Sequence, residues 1–130
     1  MKVKDLMTTE LITVDSRKSI DYALRLMREY NIRRLPVVEG GRLLGMIVQH
    51  DIEIALRRQE VILETPVDWI MTKKLWTTTP EADLTEAIDE LITHKISALP
   101  VLEGSSLVGL ISEIDVLRMV KQKLLTDDAV

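Results

Sequence analysis

The chain has 130 residues, 46% of them apolar, with no cysteine, no phenylalanine and a formal net charge of −4. The missing thiols exclude a disulfide frame, thiolate metal ligation and cysteine nucleophiles, and the acidic balance argues against nucleic acid, which demands a positive field to displace counterions. The start MKVKDLMTTE lacks a signal-peptide apolar core and no apolar run approaches 18 residues, so the expectation is a cytoplasmic protein that spans no membrane.

The sequence is doubled. Residues 3–55 laid over 67–119 without a gap share Val3/Val67, Met7/Met71, Thr8/Thr72, Leu11/Leu75, Thr13/Thr77, Ala23/Ala87, Ile32/Ile96, Leu35-Pro36-Val37/Leu99-Pro100-Val101, Glu39-Gly40/Glu103-Gly104, Leu43/Leu107, Gly45/Gly109, Ile47/Ile111 and Asp51/Asp115. A constant offset through elements and loops means two units of one shape. Copies this small bury too little surface alone, so they are expected to form one pseudo-symmetric domain. The boundaries read as motif 1 at 1–57, a linker at 58–66, motif 2 at 67–122 and a tail at 123–130.

In chain order, each copy opens with a β-prone stretch, Leu11–Val14 and Leu75–Thr78. A helix follows. Ile20, Ala23, Leu24 and Met27, and likewise Leu84, Ala87, Ile88 and Leu91, fall at i, i+3, i+4 and i+7, which marks a core face. Ser19 is placed to cap the first helix and Asn31 to close it in a left-handed conformation, while Asp83 with Glu86 reads as a capping box. Two apolar runs around Glu39-Gly40-Gly41-Arg42, and again around Glu103-Gly104-Ser105-Ser106, read as hairpins, with Pro36 and Pro100 expected at strand starts. A second helix begins near Asp51 and near Asp115. The fold class is therefore α/β: two β-α-β-β-α motifs, expected to pack through their sheets with pseudo-twofold symmetry.

Enzyme motifs are absent. There is no H-E-x-x-H, G-x-S-x-G, Walker A loop or G-x-G-x-x-G, and the glycine pairs are explained as turns. His50 reads as a surface residue, His94-Lys95 as the turn that ends a helix, and Trp69 and Trp76 as core. The informative segments are Gly45-Met46-Ile47-Val48-Gln49-His50-Asp51 and Gly109-Leu110-Ile111-Ser112-Glu113-Ile114-Asp115. A strand running straight into a helix places each aspartate in the first turn, where the dipole favours its charge and an N-cap role would suffice. The same carboxylate is acceptor-only and suits the two hydroxyls of a ribose. Arg33 and Arg34 have no acidic neighbour in the sequence, and guanidinium forks suit phosphate oxygens.

These residues resemble the tandem cystathionine β-synthase (CBS) domain pair, the Bateman module. The carriers are Val3-x-x-x-Met7-Thr8 and Val67-x-x-x-Met71-Thr72, Leu35-Pro36-Val37-Val38 and His94-Lys95-Ile96-Ser97-Ala98-Leu99-Pro100-Val101, and Gly-x-Ile-x-x-x-Asp at the close of each copy. The likeness covers residues 1–122. It implies a non-catalytic sensor that binds adenosine ligands (AMP, ADP, ATP or S-adenosylmethionine) in clefts between the copies, pairs into a homodimer, and signals to an effector protein of unknown identity. No cofactor or metal is required. The ribose-binding aspartate of the family falls on Asp51 and Asp115, and the hydroxyl three residues earlier on Ser112, but on Val48 in copy 1. Phosphate contacts, by likeness to the gamma subunit of AMP-activated protein kinase, fall on Arg33 and Arg34 and on Ser97, beside Ser112. The adenine-lining segment falls on Thr8, Thr9, Thr72 and Lys73. Two alternatives stand beside nucleotide binding: S-adenosylmethionine or methylthioadenosine as ligand, and a ligand-free dimer scaffold.

Overall fold

The computed structural model describes residues 1–128, so Ala129 and Val130 of the expected tail lie outside the described residues. The chain forms two compact units whose limits do not coincide with the sequence repeats. One unit is Ile12–Leu75; the other joins Met1–Leu11 to the chain from Trp76 onward. Each unit thus takes the strands and helices of one repeat and the Met-Thr leader of the other.

In the first unit the order is β1 (Val14–Asp15), α1 (Ile20–Glu29), β2 (Arg34–Glu39), β3 (Arg42–Val48) and α2 (Gln49–Ala55). β1 pairs parallel with β2 through Val14↔Val37, and β2 pairs antiparallel with β3 from Arg34↔Val48 to Glu39↔Arg42. The hairpin loop is two residues long, with Gly40 at φ 56° and Gly41 at φ 81°. Both central residues of such a turn require positive φ, so the glycine pair is conformational. The Ser19 hydroxyl caps α1 by accepting from the Tyr22 N–H (3.1 Å), and Asn31 closes the helix at φ 53°, as the sequence predicts. Ile20, Ala23 and Met27 carry the buried face of α1 onto Leu35, Val37, Ile47 and Ile52.

The second unit repeats the plan with α3 (Leu84–His94), β4 (Ala98–Glu103), β5 (Ser106–Ser112) and α4 (Glu113–Asp128). Its core is Leu84, Ala87, Leu91, Leu99, Val101 and Ile111, with Val3 inserted from the leader. Lys2 and Lys4 hold that leader through Glu81, at 2.6 and 2.8 Å. The two ammonium groups keep the Glu81 carboxyl at about 2, well below the usual carboxylate range.

Several local expectations change. Leu75–Thr78 forms no strand; only Thr78 bridges Val101, its N–H donating to Pro100 O at 3.0 Å. In copy 1 the strand shrinks to Val14–Asp15, while Ile12 packs on the apolar core instead. Pro36 and Pro100 are third in their strands, not first. They are tolerated because their partners Met46 and Leu110 donate away from them, to Thr72 O (2.9 Å) and Thr8 O (3.0 Å), so no ladder bond needs the missing N–H. The Asp83 carboxylate makes no cap bond, because the Glu86 N–H that it would serve already donates to the Asp83 carbonyl at 3.0 Å.

The tryptophans also depart from expectation. Trp69 ends a turn of 3-10 helix in which Val67 is the buried residue, and it is left 71% exposed. Trp76 is 53% exposed and stacks flat on His94, ring centroids 3.6 Å apart, with Glu90 Oε2 3.0 Å from His94 Nε2. Among the described residues no helix is long and apolar enough to cross a membrane.

Candidate functional site: two aspartates at helix starts

The repeated glycine explains how each leader reaches its site. A Cβ on Gly45 would lie 2.7 Å from the Met71 sulfur and 2.7 Å from the Thr72 carbonyl oxygen; on Gly109 it would lie 2.7 Å from the Met7 sulfur and 3.1 Å from Thr8 O. Only glycine permits that approach. The leaders are then fixed by reciprocal backbone pairs, Met46 with Thr72 (2.8 and 2.9 Å) and Leu110 with Thr8 (2.8 and 3.0 Å). Gly-x-Ile-x-x-x-Asp and Val-x-x-x-Met-Thr are therefore two sides of one contact. Sequence spacing alone does not pair them this way round.

At the second site, Asp115 is the third residue of α4 and both of its carboxylate oxygens accept hydrogen bonds. Oδ2 accepts from the Ser112 N–H (3.0 Å) and from the Ser112 hydroxyl (2.9 Å), and the Asp115 N–H donates to Ser112 Oγ (3.2 Å). This is a reciprocal capping box with Ser112 as the cap. Thr8 Oγ1 donates to Asp115 Oδ1 at 3.2 Å, so the leader meets the aspartate directly. Ser97 joins through its carbonyl, which accepts from the Glu113 N–H at 2.9 Å. Thr8, Ser97, Ser112 and Asp115 are thus brought together from three separated segments; Thr9 is exposed beside Thr8.

The first site has the same backbone and different side chains. Gln49 N–H donates to Arg33 O at 2.8 Å, the counterpart of the Glu113–Ser97 bond. Val48 stands where Ser112 stands in the other copy, and the α2 start has no side-chain cap. Arg33, Arg34, Val48, Gln49, His50 and Glu53 surround a cavity of about 380 Å³. Asp51 is half-buried and is not in that wall; Thr72 and Lys73 are exposed on the neighbouring leader. Arg33 and Arg34 thus line one cavity, and among the described residues neither has a carboxylate within ion-pair distance. Gln49 and Glu53 escape notice in the sequence, and His50 reads there only as a surface residue. Their signal is the one-turn spacing of 49 and 53, which a helix start beyond Val48 places on one face. No cluster of three or more histidines and carboxylates is placed to hold a metal among the described residues.

Residues 3–58 and 67–122 each match the CBS domain model, and together they cover most of the chain. The chain belongs to the CBS domain family. This CBS pair is 36% identical over 110 residues to the CBS domain-containing protein YhcV of Bacillus subtilis, covering 85% of this chain and 79% of that protein. It is also 34% identical to an inosine-5'-monophosphate dehydrogenase of Korarchaeum cryptofilum over 88% of this chain, but it spans only 23% of that enzyme. Among solved structures, a Vibrio cholerae protein assigned to acetoin utilization, AcuB, superposes over all of this chain and 97% of its own, with TM-score 0.90 and 30% identity. The CBS domain pair of protein MJ0100, solved in complex with 5'-methylthioadenosine and S-adenosyl-L-methionine, superposes over 95% and 98% with TM-score 0.81 and 28% identity.

Proposed function

We propose that this CBS pair is a non-catalytic, cytoplasmic regulatory module that takes adenine nucleotides at two sites and reports their presence to a partner protein. The observation that carries the reading is the aspartate at each helix start, with hydroxyls on it in one copy and, in the other, guanidinium groups lining a cavity at the same helix start that have no ion-pair partner among the described residues. In this reading Asp51 and Asp115 accept from ribose hydroxyls. Arg33, Arg34, Ser97 and Ser112 meet phosphate, and Thr8, Thr9, Thr72 and Lys73 line adenine. A ligand that binds only the folded chain stabilises it by mass action, about 2.7 kcal/mol at a hundred times Kd.

The second reading, an uncharged or cationic adenosine derivative, is favoured by the ligands held in the MJ0100 pair. Those ligands have no phosphate, so Arg33→Ala and Arg34→Ala are expected to spare them while weakening nucleotides. A homodimer also belongs to this proposal. Its support is the exposed apolar series Ile92 on α3 and Ile114, Leu117, Val120 and Leu124 on α4, which a second copy would cover.

Thermal denaturation against AMP, ADP, ATP, S-adenosylmethionine and methylthioadenosine tests the ligand reading, with sedimentation velocity on the same samples for the dimer. The expected result is a Tm that rises with ligand concentration and loses one binding event each in Asp51→Ala and Asp115→Ala. A flat Tm across millimolar concentrations of all five would leave a ligand-free scaffold as the better account.

A further inference from the structure

A second cavity of about 310 Å³ opens in the groove between α1 and α2, lined by Leu24, Met27, Arg28, Asn31, Ile32, Arg33 and Gln49. Arg33 and Gln49 line both this cavity and the one beside Val48, so they form the wall that the two share. Arg34 borders the first cavity alone, Arg33 both, and Arg28 the second alone. Three guanidinium groups thus follow one another from the α2 start into the groove. The groove wall contains no carboxylate, and among the described residues Arg28, like Arg33 and Arg34, has none within ion-pair distance.

The other copy shows that the fold does not require this chemistry. Its groove between α3 and α4 is lined by Ile88, Leu91, Ile92, Glu113, Val116 and Leu117. At the constant offset, Leu24 and Met27 become Ile88 and Leu91, Arg28 becomes Ile92, and Gln49 becomes Glu113. One groove is cationic and amide-lined; its twin is apolar with a carboxylate at the rim. An exposed arginine is close to alanine in helix propensity, so α1 does not need Arg28 for its own stability. The first cavity sets one carboxylate, Glu53, against Arg33 and Arg34, and the groove sets none against Arg28 and Arg33; guanidinium forks in excess over counter-charge suit phosphate oxygens, and each phosphate beyond the first adds charge for them to meet.

We propose that Arg28 and Arg33 form a subsite for the outer phosphates of a nucleoside polyphosphate in the α1–α2 groove, so that the Asp51 site prefers the triphosphate over the monophosphate. This rests on the nucleotide reading of the Asp51 site and extends it. Asp51 is the third residue of α2 and lines neither cavity, but Val48, the residue just before the helix, borders the first one. In this proposal a ribose at Asp51 extends its phosphate chain over Val48, past Arg34 and Arg33, and toward Arg28, the order in which these residues line the two cavities. The twin site lacks every arginine of this series, with Ser97, Ala98 and Ile92 in their places, and has no such preference.

Isothermal titration with AMP, ADP and ATP tests this on the full chain, both unaltered and with Asp115→Ala to isolate the Asp51 site, comparing Arg28→Ala and Arg28→Lys. Losing a charge-assisted contact to phosphate is expected to weaken ATP about tenfold or more while AMP changes by less than about twofold. Arg28→Lys is expected to restore part of the loss, since the charge remains and the fork does not. Arg28 is exposed on α1, where alanine is well accommodated, so a folded variant is expected. If Arg28→Ala weakens AMP and ATP equally, or neither, while both still need Asp51, the subsite is refuted and the nucleotide reading survives. If the unaltered chain binds none of the three, both fall together.

Discussion

The two units share a backbone plan and differ in what surrounds the aspartate. Asp115 is held by Ser112 and Thr8, in a unit with six basic and twelve acidic side chains; the Asp51 unit has eleven basic and nine acidic ones. At one helix start the carboxylate is oriented by the chain's own hydrogen bonds. At the other it has no hydrogen-bond partner among the described residues, and positive charge lies in the cavities beside it. Duplication thus preserved the frame, the glycine contact and the aspartate, while the polar partners diverged. A pre-oriented carboxylate favours recognition of hydroxyls, and a cationic groove favours recognition of charge.

Substituting the paired glycines is expected to have the largest effect on stability. Gly45→Ala and Gly109→Ala each force a methyl into the leader contact, and overpacking of this kind costs about 1–3 kcal/mol. Gly45→Ala is expected to cost more, because its methyl meets the Thr72 carbonyl at 2.7 Å, whereas at Gly109 the nearest atom belongs to the flexible end of Met7. Urea unfolding of both variants checks this; equal midpoints would break the distinction. Next comes Thr8→Val against Thr72→Val. Thr8 loses a hydrogen bond to Asp115, worth at most about 1 kcal/mol at an exposed position, while Thr72→Val is expected to leave stability unchanged.

The smallest effect is the Glu81 clasp on the N-terminal leader. Its carboxyl is lowered from 4.5 to about 2 by Lys2 and Lys4, so its contribution is present above 4.5 and is lost as pH falls toward 2. Glu81→Gln is therefore expected to be less stable than the parent at neutral pH, with the gap closing between pH 4.5 and 2 and shrinking in high salt. A gap that persists at pH 2 would show that packing holds the leader.

Much of this was legible in the sequence because it is local. The doubled pattern, the helix faces at Ile20–Met27 and Leu84–Leu91, the Ser19 cap, the left-handed Asn31 and the glycine hairpin all rest on neighbours within a few residues. The aspartates and Arg33–Arg34 stood out because a repeated acceptor at a helix start and adjacent unpaired cations are themselves chemical signals. Tertiary structure alone decided which leader serves which aspartate, since Thr8 and Asp115 are more than a hundred residues apart. It also decided that Trp76 would stack on His94 and not enter the core, and that Arg28, unremarkable on a helix face, would share a groove with Arg33. The physical reason is the same throughout. Residue type and short-range spacing set what a segment can do, whereas exchange of the Met-Thr leaders is a long-range backbone pairing, and both repeats carry the same Met-Thr and Gly-x-Ile residues that make it, so the pattern reads equally well in either direction.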